Sequence, residues 1–135
     1  MTYDLSFDLV HDYSNAEAIR IPVTLRLGED ETTFNAYLDT GSSFSVFERG
    51  HAELLGLNVE SGTLVRIGTV TGAFDAYGHM LTLKTLGYSF DVTVYFAAND
   101  DFKRNVLGRR GWLDQVRLGI VEYESRLYLG RYGQQ

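Results

Sequence analysis

Tyr37-Leu38-Asp39-Thr40-Gly41-Ser42-Ser43 ends a run of strand-like residues on a carboxylate. On its N-terminal side, Thr32 to Leu38 reads as a strand returning from Ile19–Leu27 through a turn at Gly28 to Glu31. In the earlier strand Ile19, Ile21, Val23, Leu25 and Leu27 alternate with Arg20, Pro22, Thr24 and Arg26, the period of two expected when one face is buried. Pro22 has no N–H to give a ladder, so it marks an edge or irregular position. A strand that hands an acidic side chain to a turn of small hydroxyl residues and glycine is a poor place to hide a structural charge. Capping of the turn is the plainer use of Asp39, and a second feature is needed to decide between the two.

Outward from this stretch the same alternation recurs. Tyr3, Leu5, Phe7 and Leu9 face one way across Tyr3 to Val10, which predicts a half-buried strand. Glu48 to Leu55 predicts a short helix stopped by Gly56. Thr63–Gly68 and Ala73–His79 flank Thr69-Val70-Thr71-Gly72, a hairpin with a glycine-rich, mobile tip. Met80–Leu86 and Tyr88–Phe96 flank Gly87 as a second hairpin. Gly111 to Val116 reads as a helical turn, and Leu118–Glu122 with Arg126–Leu129 as a last strand pair. Short strands separated by turns predict an all-β barrel or sandwich, with residues 1–135 forming a single domain that has no linker or internal repeat.

Composition narrows the function. The 135 residues are 44% hydrophobic and 22% charged, the balance of a globular chain. A net charge of -6 with scattered Lys and Arg argues against a nucleic-acid partner. With no cysteine there is no disulfide, thiolate nucleophile or sulfur-ligated metal. His11, His51 and His79 are too far apart in sequence for a metal-ligand spacing, so no metal is expected. Ser42 and Ser43 lack the surroundings of a nucleophile elbow, no phosphate loop is present, and no cofactor is implied. No basic segment followed by an apolar stretch opens the chain, which predicts no membrane contact and a cytoplasmic location.

The second feature lies downstream of both hairpins, at Asn105-Val106-Leu107-Gly108-Arg109 followed by Gly111-Trp112-Leu113. Together the two segments resemble the retropepsin-like aspartic proteases, in which an apolar-apolar-Asp-Thr/Ser-Gly-Ala/Ser motif precedes a flap hairpin and an apolar-apolar-Gly-Arg segment leading into a short helix. The likeness covers about Ile19 to Leu129. It implies a closed or partly closed acid-protease-like barrel with one or two short helices and a flap hairpin. It also implies that Asp39 is catalytic, that Thr40 hydrogen-bonds across a dimer axis, and that Gly41 and Ser42 surround the carboxylates. Gly68, Thr69, Val70, Thr71 and Gly72 would form the flap tip, Val106 and Leu107 an apolar substrate wall, with core packing as their alternative and plainer role, and Gly108 and Arg109 structural support. In viral members an aspartate two residues beyond the motif's glycine pairs with the arginine of the second segment. Ser43 stands there in this chain, which leaves a surface or helix-capping role as the alternative for Arg109.

Metal-free peptide hydrolysis needs one group to activate water and another to supply a proton, work that two adjacent carboxyl groups sharing a proton can divide. No other aspartate in the chain is followed by Thr-Gly or Ser-Gly, so a second motif must come from a second copy. A twofold axis would bring the two together. Carboxylates about 3 Å apart repel by roughly 5 kcal/mol at an effective dielectric near 20, enough to hold one shared proton over a wide pH range. The sequence therefore predicts an aspartic endopeptidase assembled by homodimerisation that binds extended peptide. The alternative is a catalytically silent peptide-binding or dimerisation module of the same fold.

Overall fold

Six strands close into a ring around the apolar alternation of the first hairpin. The computed structural model describes residues 1–14 and 16–132. Strand β1 spans Leu9–Asp12, β2 Arg20–Leu27, β3 Asp30–Leu38, β4 Val46–Phe47, β5 Thr63–Thr69, β6 Gly72–Thr85, β7 Tyr88–Ala97, β8 Val106–Leu107, β9 Val116–Val121 and β10 Arg126–Arg131. The larger sheet runs β2-β3-β8-β4-β7-β6-β5, and β2 also pairs with β6, so the ring is closed and β5 stands outside it. The smaller sheet runs β1-β10-β9. This is the all-β, closed barrel expected from the sequence.

Closure follows from which side chains want burial. Ile21, Val23 and Leu25 of β2 are wholly buried with Ala36, Leu83, Val94, Phe96 and Leu107. Pro22 lies one residue beyond the β2–β6 register, which spans Val23 to Arg26, so its missing N–H breaks no pair there. Trp112 is also fully buried, and its indole N–H donates to Thr85 Oγ1 at 3.0 Å, so the one polar atom of the ring is satisfied. Leu127 and Leu129 of β10 join the same core, which ties the smaller sheet to the ring.

Helix α1, Arg49–Leu54, ends as expected at Gly56. Gly56 takes φ 76°, its N–H donates to Glu53 O at 3.0 Å, and the Leu57 N–H reaches Ala52 O at 3.0 Å. That pair of bonds is a Schellman termination, which a Cβ would strain. On the same helix the His51 ring stacks on Phe34 with centroids 3.9 Å apart. Burial pushes the His51 imidazole below its ordinary value, against a smaller upward pull from Glu48. The unfolded chain then takes the proton more readily, so this contribution is complete above about pH 6.5 and is lost as pH falls below it. His51→Phe should flatten the stability loss between about pH 7 and pH 5, as read by urea denaturation at each pH.

Two expectations about strands are corrected. The first strand begins at Leu9 rather than Tyr3, and Tyr3 and Leu5 are 85% and 66% exposed. The chain leaves the ladder where no side chain stands in its way. Ser6 O lies 2.9 Å from where a Cβ on Gly130 would be, and the Phe7 ring covers Gly119. Residues 73–79 and 80–85 are not separate strands but parts of β6, which runs 14 residues unbroken, and Leu86 falls in the turn after it. Gly78 does not break the strand; the Tyr95 ring lies 2.8 Å from where its Cβ would be.

Candidate active site

Asp39 is set by backbone pairing. The Tyr37 N–H donates to Asn105 O at 2.8 Å and the Asp39 N–H to Leu107 O at 3.0 Å, which carries the parallel β3–β8 ladder past the end of β3. Equal phase on that ladder puts the side chains of residues 37 and 39 on one face, opposite Ala36 and Leu38, which point into the core. The chain then turns. The Ser42 N–H donates to Asp39 O at 3.1 Å and the Gly41 N–H to Asp39 Oδ1 at 3.0 Å, while the carboxylate stays half-exposed.

The turn is fixed from below by β8 and the residues after it. The Arg109 N–H donates to Ser42 O at 2.8 Å, the Arg110 N–H to Ser43 O at 3.0 Å, and the Ser45 N–H to Arg110 O at 3.0 Å. Ser45 is fully buried, and its Oγ accepts from the Gly108 N–H at 3.0 Å. A Cβ on Gly108 would sit 2.3 Å from Phe44 O and 2.8 Å from Ser42 O, so only glycine allows this approach. The short 3₁₀ turn Leu113–Gln115 follows, anchored by the Leu113 N–H on Gly108 O at 3.1 Å.

The other residues singled out from the sequence divide into three groups. Thr40 and Arg109 are exposed and, with Ser43, Arg110, Leu113 and Asp114, line an open depression of about 610 Å³ that Asp39 does not line. No carboxylate lies within ion-pairing distance of Arg109 among the described residues, in keeping with Ser43 standing where viral relatives have an acid. Gly68 to Gly72 form the β5–β6 turn, where Thr69 Oγ1 donates to Gly72 O at 3.1 Å and Val70 is fully exposed. Val106 pairs with Tyr37 and so lies on the side of the sheet that carries Asp39, where it is buried, and Leu107 is fully buried on the opposite side. Both are buried side chains, which is the core-packing use that the sequence also allowed them.

Sequence reasoning passed over three side chains on the Asp39 face. Arg20 pairs with Tyr37 across β2–β3, and its guanidinium carbon lies 5.0 Å from the Tyr37 ring centre. Arg104, two residues before Val106, places its own at 4.4 Å. The period of two back from Asp39 would have found Tyr37; the arginines required the register. No group of three or more His, Asp or Glu side chains able to hold a metal is present among the described residues.

A family model described as aspartyl protease matches residues 21–110, a span that holds both the Asp39 turn and the Gly108 segment. The chain belongs to the aspartyl protease family. No curated protein matches the chain significantly. Among solved structures, EIAV protease complexed with the inhibitor HBY-793 is 25% identical, covers 72% of this chain and 86% of its own, and superposes with a TM-score of 0.55. A retropepsin-like aspartic protease from Rickettsia conorii is 17% identical, covers 89% of this chain and 96% of its own, and gives a TM-score of 0.65, a likeness of fold. The described residues include no helix long and apolar enough to cross a membrane.

Proposed function

We propose that this family member is an aspartic endopeptidase whose active site forms when two copies pair and bring Asp39 against Asp39 of the partner subunit. The observation that carries the reading is a half-exposed carboxylate held by a parallel ladder, with no cation paired to it among the described residues. In the dyad, the ionised carboxylate takes a proton from water as that water attacks the peptide carbonyl. The protonated one donates to the carbonyl oxygen to give a gem-diol; the proton taken from water then passes to the leaving amine as the C–N bond breaks, and the other carboxylate recovers its proton from a diol hydroxyl. The Gly41 N–H, already on Asp39 Oδ1, orients the carboxylate. Thr40 bonds across the axis, Ser42 packs beside the dyad, and residues 68–72 close over a substrate bound as an added strand. Gly108 and Arg109 hold the turn from below through their backbone, residues 1–135 act as one domain, and neither metal nor cofactor takes part.

Dilution tests the assembly. Below the dimer dissociation constant, cleavage of a mixed peptide pool should rise about fourfold for each doubling of enzyme, while sedimentation reports a monomer–dimer equilibrium. Strict first-order dependence in a protein that stays monomeric would overturn the proposal. A folded dimer with no cleavage would favour the silent peptide-binding module.

A further inference from the structure

The face that carries Asp39 also carries a cationic aromatic surface. Tyr37 on β3 and Asp39 just past its end sit in phase, Arg20 comes from the neighbouring β2, and Arg104 from the segment that leads into β8 on the other side of Tyr37. In a chain of net charge -6, two guanidiniums over one ring stand out. An arginine stacked on a ring keeps its in-plane N–H donors free for a second partner. Here they are unused: neither side chain donates a hydrogen bond or meets a carboxylate within 4.0 Å among the described residues. Both arginines are exposed, so those donors face solvent on the side where a peptide would lie.

Resting on the endopeptidase reading, we infer that Tyr37, Arg20 and Arg104 form a subsite for an acidic side chain of the substrate, Glu or Asp, close to the scissile bond. Tyr37 supplies the apolar floor for the side-chain methylenes, and the two guanidiniums supply charged donors for the carboxylate. Such charge-assisted bonds are the stronger class, and a planar fork suits a carboxylate. The subsite departs from the purely apolar preference that a wall of Val106 and Leu107 would give.

The test separates binding from chemistry. Wild-type protein is incubated with a random peptide pool and the cleavage sites are read by mass spectrometry. In parallel, Asp39→Asn protein is titrated with fluorescein-labelled decapeptides that differ only in Glu or Gln at one central position. The Glu peptide should bind about tenfold tighter, a difference of about 1.4 kcal/mol. Arg104→Gln and Arg20→Gln should each reduce the preference, and the double variant should abolish it, with sedimentation unchanged. Equal binding of the two peptides, no binding of either, or a preference that survives in the double variant would overturn the subsite. Arginine variants that lose the dimer would overturn it too, by assigning these side chains to the subunit contact. Intact preference without any cleavage would sink the catalytic reading alone.

Discussion

Asp39→Asn should lower peptide cleavage by about a thousandfold or more and leave the fold standing. The amide has the shape of the carboxylate, and its Oδ1 can still accept the Gly41 N–H at 3.0 Å. What it cannot do is take a proton from water or return one to the amine. A positioned acid or base contributes about 10² to 10⁴ in rate. In a dimer the substitution falls on both members of the dyad, so no ionised partner remains. Stability should change by no more than about 1 kcal/mol in urea, because half-exposed Asp39 forms no ion pair among the described residues. Cleavage retained above about a tenth of wild type would place the chemistry on other residues. Loss of activity with loss of fold would instead make Asp39 a structural cap, the plainer of the two roles its sequence allowed.

Much of this architecture was legible because the signals were local. The alternation of Ile21, Val23 and Leu25, the stop at Gly56 and the hairpin at Gly87 each depend on neighbours a few residues apart. Leu86 and Gly87 take φ of 50° and 90°, the left-handed pair that a two-residue hairpin turn demands. Alternation alone, however, cannot tell a buried face from an exposed one. Tyr3 and Leu5 carry the pattern, and the path of the chain over Gly119 and Gly130 leaves both in solvent. Strands β4 and β8 are two residues each, too short to show any period, yet they are the pairing that seats the Asp39 turn. The motif residues could be found from the sequence, since only certain residue types fit them. The surroundings of Asp39 could not, because Arg20, Tyr37 and Arg104 meet only through register.

Gly108→Ala should cost the fold heavily, although the φ of Gly108 lies outside the left-handed region. Gly→Ala at a permissive site stabilises by about 0.4–1 kcal/mol, because the unfolded chain loses freedom. At Gly108 the sign reverses. The added methyl would meet Phe44 O at 2.3 Å, Phe44 C at 2.7 Å and Ser42 O at 2.8 Å, all of them backbone that cannot rotate aside. Relief requires the 42–44 loop to lift, which breaks the Arg109-to-Ser42 and Arg110-to-Ser43 bonds and disturbs the Gly108 N–H on Ser45 Oγ. Overpacking at about 1–3 kcal/mol plus two or three hydrogen bonds at about 1 kcal/mol each gives a loss of about 3 kcal/mol or more. Urea unfolding should register this as a lower midpoint with little change in slope. Activity should fall further than stability does. The same loop carries Asp39, and a displacement near 1 Å can cost about 10²-fold in rate even in molecules that remain folded. Gly50→Ala is the control, since nothing lies within 4 Å of the Cβ it would add and it stands on α1, outside the site. A Gly108→Ala protein within about 1 kcal/mol of wild type would mean that the loop yields easily. In that event the lacing by residues 108–110 could not be what holds Asp39 in place.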